Sequence, residues 1–244
     1  MNKLEFKNVS KKYPYIKQFL FSDVSFGVQV GQRVGIVAEK QCGKSSVVKM
    51  LADITKPTQG QILLDGKDIY TVLPQDRGIG IIFDDFALIK GKSVVKNVAF
   101  PLKVRKVPNH QQIALRQVQK FGLDQVAKTK AKKLSPLKKL QTALARLDSR
   151  DDICLVVFDD PFAHVSKDDA QKYVDLFLTG RNLAILQTAS DVDHLCDCDV
   201  VYVVADGTVS FCGTFAQAKE YISTTNCFDK FGINEDIQKV LQKD

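Results

Sequence analysis

A strand, a turn and an amphipathic helix follow one another between residues 34 and 54, and this order constrains the fold more than any other feature of the sequence. The turn contains the tetrapeptide Gly43-Lys44-Ser45-Ser46. The helix after it carries four apolar side chains on one face: Val47, Val48, Leu51 and Ile54. This is the context of a phosphate-binding loop, in which backbone N–H groups and the helix N-terminus hold phosphate, a lysine contacts the β and γ oxygens, and the next hydroxyl binds Mg²⁺. The sequence therefore predicts a nucleotide phosphate site at 43–46.

The loop departs from the usual pattern at its start. A phosphate-binding loop opens with glycine five residues before Gly43, but Ala38 stands there. A Gly-Lys-Ser-Ser tetrapeptide also arises by chance, so the prediction depends on the rest of the chain.

Composition is that of an ordinary α/β protein of 244 residues, with 45% hydrophobic and 26% charged residues. This length suits one α/β domain or a domain with an inserted subdomain. The longest apolar runs, 153–158 and 200–205, fall well short of the roughly 20 residues that a membrane span needs. The first residues contain no apolar signal core, so a cytoplasmic protein is expected. Six scattered cysteines predict reduced, buried thiols.

A net charge of +7 raises the question of an anionic partner such as nucleic acid or lipid. The densest basic cluster contains Lys128, Lys130, Lys132, Lys133, Lys138 and Lys139. No aromatic residues lie between these lysines to stack on bases. A solvated helical face is the favoured interpretation of these lysines, and no nucleic-acid partner is predicted.

The strands are predicted from two kinds of apolar pattern. Val24, Phe26, Val28 and Val30 alternate as in a half-buried strand. Residues 61–64 and 67–69 flank the turn pair Asp65-Gly66 and predict a hairpin. Continuous apolar runs, typical of a parallel sheet buried on both faces, occur at 78–83, 153–158, 183–186 and 200–204.

Helices are predicted between and after these runs. A helix that begins at Ser166, with Ala170, Tyr173, Val174 and Phe177 at core spacing, joins two of the apolar runs as a crossover. Residues from about 86 to 150 lack a convincing buried strand and hold a helix capped near Asn109, with Ala114, Val118 and Phe121 on one side. They predict an inserted helical subdomain. Residues 215–244 are expected to form terminal helices.

The order of these parts resembles the nucleotide-binding domain of ABC transporters over nearly the whole chain. The resemblance implies an α/β fold: a P-loop NTPase core with an N-terminal antiparallel β subdomain and an inserted helical subdomain, forming one domain over 1–244. It places Tyr13 under the adenine ring, although an ordinary surface tyrosine is the alternative. It assigns Gly43, Lys44, Ser45 and Ser46 to the phosphates of ATP, and Ser45 and Asp159 to Mg²⁺.

Several positions depart from the family's pattern. Ala38 and Gln41 replace two glycines of the phosphate loop. The remaining departures are Asp160 for the Glu that activates water, Asp84 for a Gln near the γ-phosphate, Ala189 for the switch His, and Ser166 for an Asp in the loop that faces the opposite subunit. Asp160 and Asp84 are the candidate catalytic residues. The carboxylate of Asp160 is one methylene shorter than that of the family's Glu. The set of departures taken together implies weak or absent hydrolysis.

The signature segment of the family, written LSGGQ, is Leu134-Ser135-Pro136-Leu137-Lys138 here. The resemblance implies that Ser135 contacts the γ-phosphate held by the opposite subunit. Pro136 lacks an N–H donor, and Leu137 prevents the close backbone approach that glycine allows.

The resemblance implies an ATP-binding subunit of an ABC transporter on the inner face of the cell membrane. Its partners would be transmembrane permease subunits and a second nucleotide-binding domain, in a homodimer or a heterodimer. The alternative is a non-enzymatic pseudo-ATPase that serves as a scaffold or nucleotide sensor in a membrane complex. Soluble ABC proteins that act on ribosomes or DNA usually carry two such domains or a long coiled-coil insertion, which this chain lacks.

A contact with the permease is expected just after Asp84. The family has a groove there for a short helix of the membrane subunit, and residues 85–89 are followed by Val94, Val98 and Phe100. Phe86 and Leu88 are predicted to be partly exposed anchors. Internal packing of the helical subdomain is the alternative.

Overall fold

The computed structural model describes residues 2–14, 19–38 and 43–228. The strands are β1 (Asn2–Lys11), β2 (Phe21–Gln29), β3 (Arg33–Ala38), β4 (Gln59–Leu64), β5 (Lys67–Asp68), β6 (Ile79–Ile82), β7 (Leu155–Asp159), β8 (Ala184–Ala189), β9 (Val200–Ala205) and β10 (Thr208–Gly213). The helices are α1 (Lys44–Leu51), α2 (Val94–Val104), α3 (His110–Lys120), α4 (Pro136–Asp148), α5 (Lys167–Leu178) and α6 (Phe215–Thr225). The predicted terminal helices beyond 228 lie outside the described residues.

An antiparallel sheet with strand order β2-β1-β4-β5 contains the predicted hairpin. Its turn places Asp65 at φ 50° and Gly66 at φ 76°, the two left-handed residues of a type I′ turn. β5 is shorter than predicted because the Asp68 side chain accepts a hydrogen bond from the Tyr70 N–H and begins a 3₁₀ turn. Val30 is 52% exposed because the chain has already left β2 for the turn at Gly31, so its predicted place in the strand is wrong.

A second sheet has the strand order β10-β9-β3-β8-β7-β6. β3 pairs in parallel with β8 and β9, and β7 pairs in parallel with β8. The predicted parallel sheet is thereby confirmed, with boundaries that differ by a few residues. α5 follows β7 in the chain and precedes β8, its parallel neighbour, as expected of a crossover connection.

The chain divides into two compact units. The first covers the described residues of 1–81, Leu155–Asp160 and the described residues from Leu183 onward, and it holds the antiparallel sheet and most of the parallel one. The second covers Ile82–Cys154 and Pro161–Asn182 and holds α2, α3, α4 and α5. The subdomain predicted at about 86–150 falls within the second unit, and its limits stay a prediction.

Two local expectations need correction. Phe86 is only 3% exposed and has φ 64°, and its carbonyl accepts a hydrogen bond from Arg146 Nη2 at 3.0 Å. It is therefore part of the packing of the second unit and not a partly exposed anchor, whereas Leu88 is half-buried. Cys198 is buried but Cys196 and Cys212 are exposed, so the prediction of buried thiols holds only in part.

Helices α3 and α5 begin where the sequence predicts, but without the predicted side-chain caps. α3 begins after Asn109 and α5 after Ser166, yet neither side chain accepts a hydrogen bond from its helix. Their apolar faces are buried through Ala114 and Val118 in α3 and through Phe177 in α5. Among the described residues, no helix combines the length and apolarity needed to cross a membrane.

Candidate functional site

The candidate site lies at the carboxyl edge of the parallel sheet. Val37 of β3 is in register with Ala189 of β8, and Thr188 of β8 is in register with Asp159 of β7. Parallel strands end at the same edge, and in open α/β sheets ligands bind outside these carboxyl ends. Pairing alone therefore brings the ends of β3, β8 and β7 together.

α1 begins directly after Gly43. Gly43 has φ 92° and ψ 6°, a left-handed conformation that glycine adopts without steric cost. A Cβ atom there would lie 2.9 Å from side-chain atoms of Leu20 and Phe21, so the close packing also requires glycine. The loop residues 39–42, with the predicted substitution Gln41 among them, lie outside the described residues.

Lys44 bridges the start of α1 and the end of β3. Its side chain is buried, and its Nζ donates a hydrogen bond to the Ala38 carbonyl at 2.6 Å. The ammonium group is thus held at the strand end from which the phosphate loop departs. Its contact with phosphate stays a prediction.

The two serines of α1 have different surroundings. Ser45 is exposed, whereas Ser46 is 2% exposed and its Oγ lies 3.0 Å from the Tyr13 hydroxyl. Ser45 therefore presents its hydroxyl to the solvent, and the hydroxyl of Ser46 takes part in an internal hydrogen bond. This difference was not visible in the tetrapeptide.

Tyr13 is buried, with 8% of its surface exposed. The Nζ of Lys11 lies 4.9 Å from the centre of its ring. With the hydroxyl bonded to Ser46, the ring is packed into the first unit and presents little surface for stacking. Its contact with adenine stays a prediction.

Asp159 is the last residue of β7 and is 3% exposed. Its Oδ1 accepts a hydrogen bond from Thr188 Oγ1 at 2.9 Å. The neighbouring strand therefore orients this buried carboxylate at the carboxyl edge of the sheet.

Asp160 turns away from the strand direction, with φ 44°. Its N–H donates to the Thr188 carbonyl at 3.1 Å. Its Oδ2 accepts hydrogen bonds from the N–H of Ser190 at 3.1 Å and from Ser190 Oγ at 2.7 Å. Its Oδ1 lies 3.8 Å from His194 Nδ1. One oxygen of the carboxylate thus accepts two hydrogen bonds from Ser190, and the other lies near the imidazole of His194.

Sequence reasoning missed Ser190 and His194 as neighbours of Asp160. The only sequence signal is their position, one and five residues after Ala189. Ala189 itself is fully buried in an apolar cluster that includes Val37 and Leu195. The position assigned to the switch His therefore contributes a methyl group to the core of the first unit.

The second unit carries the other two candidates. Asp84 is exposed, and its Oδ1 accepts a hydrogen bond from the N–H of Asp85 at 2.8 Å. Ser135 is also exposed and caps α4 by accepting from the Lys138 N–H at 3.4 Å. Pro136 occupies the first turn of α4, where its missing N–H removes no helical hydrogen bond. The signature segment is therefore a well-formed helix start.

Comparison with known proteins shows the family to which this fold belongs. The family model for the ABC transporter matches residues 21–163. The putrescine transport ATP-binding protein PotG of Escherichia coli is 36% identical over 168 residues, covering 67% of this chain and 43% of that protein. The molybdate/tungstate import ATP-binding protein WtpC of Thermococcus kodakarensis is 34% identical over 163 residues, covering 65% of this chain and 48% of that protein. The chain thus spans about half the length of these relatives.

Solved structures show the same fold. A dimeric bacterial ABC transporter cassette superimposes with a TM-score of 0.77 at 20% identity, covering 87% of this chain and 98% of the cassette. The cbiO1 protein of Clostridium perfringens, part of an ABC transporter complex, gives a TM-score of 0.75 at 22% identity, covering 92% and 94%. Since the family model matches more than half of the residues, this chain belongs to the ABC transporter family and contains its nucleotide-binding domain.

Proposed function

We propose that this chain is the ATP-binding subunit of an ABC transporter, that it binds Mg-ATP at a degenerate site with weak or absent hydrolysis, and that it couples to membrane permease subunits. Family membership and the transport roles named for its relatives support the first part. It would act on the inner face of the cell membrane. A second nucleotide-binding domain would complete its sites, as a dimeric cassette among its structural neighbours suggests.

The residues present fit Mg-ATP in their chemistry. The exposed hydroxyl of Ser45 and the buried carboxylate of Asp159 are oxygen donors of the kind that Mg²⁺ prefers. Lys44 supplies a positive charge at the start of α1, where N–H groups favour anions. When bound, Mg²⁺ would neutralise charge on the β- and γ-phosphates. Ser46 would act indirectly, through its bond to Tyr13.

Impaired hydrolysis is supported above all by the hydrogen bonds of Asp160. A general base must lie within about 2.6–3.2 Å of the proton it takes, or act through one water. Asp160 Oδ2 already accepts two hydrogen bonds from Ser190, and Oδ1 faces His194. Ala189 has no hydrogen-bonding side chain to position a phosphate or a water. The geometry thus favours a carboxylate that braces the end of β8 over one that activates water.

The same observation supports the second candidate, a pseudo-ATPase that serves as a scaffold or nucleotide sensor. The two functions differ in turnover, because a transport motor must hydrolyse ATP within its complex. Signature residues Pro136 and Leu137 would weaken the site of a partner subunit as well, whether that partner is identical or intact.

Titration calorimetry with Mg-ATP tests binding. Wild type should release heat that Lys44→Ala loses, whereas Lys49→Ala on the same helix should bind as wild type does. Identical heats for wild type and Lys44→Ala would contradict the phosphate-loop role of Lys44.

Phosphate release, measured on the full chain alone and with its co-purified membrane partner, tests hydrolysis. Robust ATP turnover by the wild type that is abolished in Lys44→Ala would contradict the proposal of impaired hydrolysis.

A further inference from the structure

The positive charge of the chain is concentrated in one segment. Ile82–Cys154 contains sixteen lysine and arginine residues against six aspartates and no glutamate, although the whole chain has a net charge of only +7. Two of these aspartates are already paired: Asp148 with Lys120 and Arg181, and Asp152 with Arg105 and Arg150. The second unit therefore presents a strong excess of positive charge.

Within this unit lies a cavity of about 500 Å³, lined by residues 92–103 on and just before α2, by the first turns of α3 and by residues 127–128. Two backbone hydrogen bonds hold its wall together, from the Val94 N–H to the Thr129 carbonyl and from the Val95 N–H to the Ala127 carbonyl, each at 3.1 Å. The cavity is therefore built by the fold and does not depend on side-chain rotamers alone.

Large apolar side chains are exposed in this cavity. Phe100 is 41% exposed and Leu115 is 52% exposed, and both line it together with Ala99. Leaving such groups in water is unfavourable by the hydrophobic effect, and exposed apolar patches with a polar rim mark binding sites. The cavity thus offers an apolar surface to a ligand.

Lysines surround the same surface. Lys92, Lys96, Lys103 and Lys128 line the cavity, and no acidic residue does. In the described part of the chain none of these four forms a salt bridge, and Lys92 Nζ lies 5.4 Å from the centre of the Phe100 ring. A ligand that fits must therefore combine negative charge with an apolar body.

We propose that this cavity binds an anionic phospholipid, with its phosphate among the lysines and its first acyl carbons against Phe100 and Leu115. Its volume is that of a small-ligand pocket and is too compact for a long helix. Clustered lysines bind anionic lipid headgroups at a membrane surface. The proposal goes beyond the proposed function, because it adds a direct lipid contact that requires neither ATP nor a permease.

Vesicle sedimentation tests the proposal. Full-length protein should sediment with phosphatidylcholine vesicles that contain phosphatidylglycerol, and not with phosphatidylcholine alone. Lys92→Glu/Lys96→Glu should weaken this binding by about tenfold or more. Lys132→Glu/Lys133→Glu makes the same change of charge at exposed positions outside the cavity and should have a much smaller effect. Equal losses in the two double variants would overturn the proposal in favour of diffuse attraction.

Separate variants test the proposed contact of the acyl carbons with Phe100 and Leu115. Phe100→Ser and Leu115→Ser leave the charge unchanged and should each weaken sedimentation, with thermal unfolding curves confirming that the fold is kept. If the Phe100→Ser protein is folded and sediments with the vesicles as strongly as wild type does, the proposed lipid site is wrong. Soluble short-chain phosphatidylglycerol should displace the protein from vesicles, whereas displacement by inorganic phosphate alone would show a simple anion site. Mg-ATP calorimetry of the same variants separates this result from the proposed function, because their ATP binding should be unchanged.

Discussion

At the scale of single residues, the adjacent side chains of Asp159 and Asp160 contact different residues. Asp159 ends β7 and accepts a hydrogen bond from Thr188, whereas Asp160 adopts φ 44° and turns to Ser190 and His194. A left-handed residue directly after a strand reverses the direction of its side chain, and Asp tolerates this conformation better than most residues. The backbone therefore gives the two carboxylates different partners: Thr188 for Asp159, the proposed Mg²⁺ ligand, and Ser190 for Asp160.

Replacing Asp160 by the family's Glu should not restore hydrolysis. Removing a preorganised stabilising group costs about 10²–10³ in rate, and catalytic groups act as a unit, so one restored carboxylate leaves the other defects in place. We expect phosphate release by Asp160→Glu to stay at the wild-type level while Ala189, Pro136 and Leu137 remain. A clear gain of activity in this single variant, lost again on adding Lys44→Ala, would show that Asp160 alone limits the rate.

At the scale of elements, one side chain holds a loop against α2. Asn97 is fully buried, and its Oδ1 accepts from the Ile89 N–H at 2.8 Å. Its Nδ2 donates to the carbonyls of Ile89, Lys92 and Ser93 at 3.0–3.2 Å. Buried backbone groups need hydrogen-bond partners, and this amide supplies them where the chain has no regular structure.

Asn97→Ala should lower the free energy of unfolding by about 1–3 kcal/mol, because it leaves the Ile89 N–H without its acceptor. The three carbonyls that Nδ2 contacts each keep a backbone donor: Lys92 N–H, Ala131 N–H and Asn97 N–H. Gln112→Ala, an exposed amide on α3, is the matched control and should change little. Urea unfolding measures both, and hydrogen exchange at the Ile89 amide should accelerate in the first variant alone. Equal stability of the two variants would contradict the anchoring role.

A carboxylate also links the end of α2 to the end of α4. Asp152 lies 2.9 Å from Arg105 Nη1 and 2.6 Å from Arg150 Nη2. Burial alone would raise the pKa of Asp152, but the hydrogen bonds and charges of Arg150 and Arg105 lower it below its usual value. A lowered folded-state pKa means that the pair stabilises the protein above the unfolded pKa and loses this effect as the pH falls through the folded pKa.

Asp152→Asn should therefore reduce stability at neutral pH, by about 0.5 kcal/mol because the pair is partly solvated. The difference from wild type should close below the usual Asp pKa of about 3.9. Thermal unfolding across this pH range measures it, with Asp151→Asn as the control. A difference that persists in strong acid would rule out the ionic explanation.

At the scale of the whole molecule, the excess of basic residues and the candidate nucleotide-site residues lie in different segments. The excess of lysine and arginine lies in Ile82–Cys154, while the rest of the chain is net acidic. Lys44, Ser45 and Asp159 lie in the first unit, and the lysine-lined cavity lies in the second. The proposed nucleotide site and the proposed lipid site therefore lie in different units.

Mg-ATP should raise the melting temperature of the protein through its preference for the folded state. At ten times the dissociation constant a ligand adds about 1.4 kcal/mol, or about 3–6 °C for a chain of this size. Scanning fluorimetry should show this shift in wild type and Lys49→Ala but not in Lys44→Ala. EDTA should reduce it, since Ser45 and Asp159 would hold Mg²⁺. A full shift in Lys44→Ala would contradict the assigned site.

The sequence by itself determined the features that depend on neighbouring residues. Apolar runs predicted the buried parallel strands, because a strand covered on both faces exposes neither side to water. Asp65-Gly66 predicted the hairpin turn, since both residues accept positive φ. The apolar run at 34–37 and the spacing of Val47, Val48 and Leu51 predicted β3 and α1, and the phosphate site between them stays a prediction.

Only the tertiary structure decided the contacts between residues far apart in the chain. Ser190 reaches Asp160 because the parallel register of β7 and β8 brings their ends together. Phe86 is buried and Phe100 exposed through the packing of the second unit, although both are phenylalanines of the same segment. A side chain's type sets what it can bind. The register and packing of the elements decide which groups it meets.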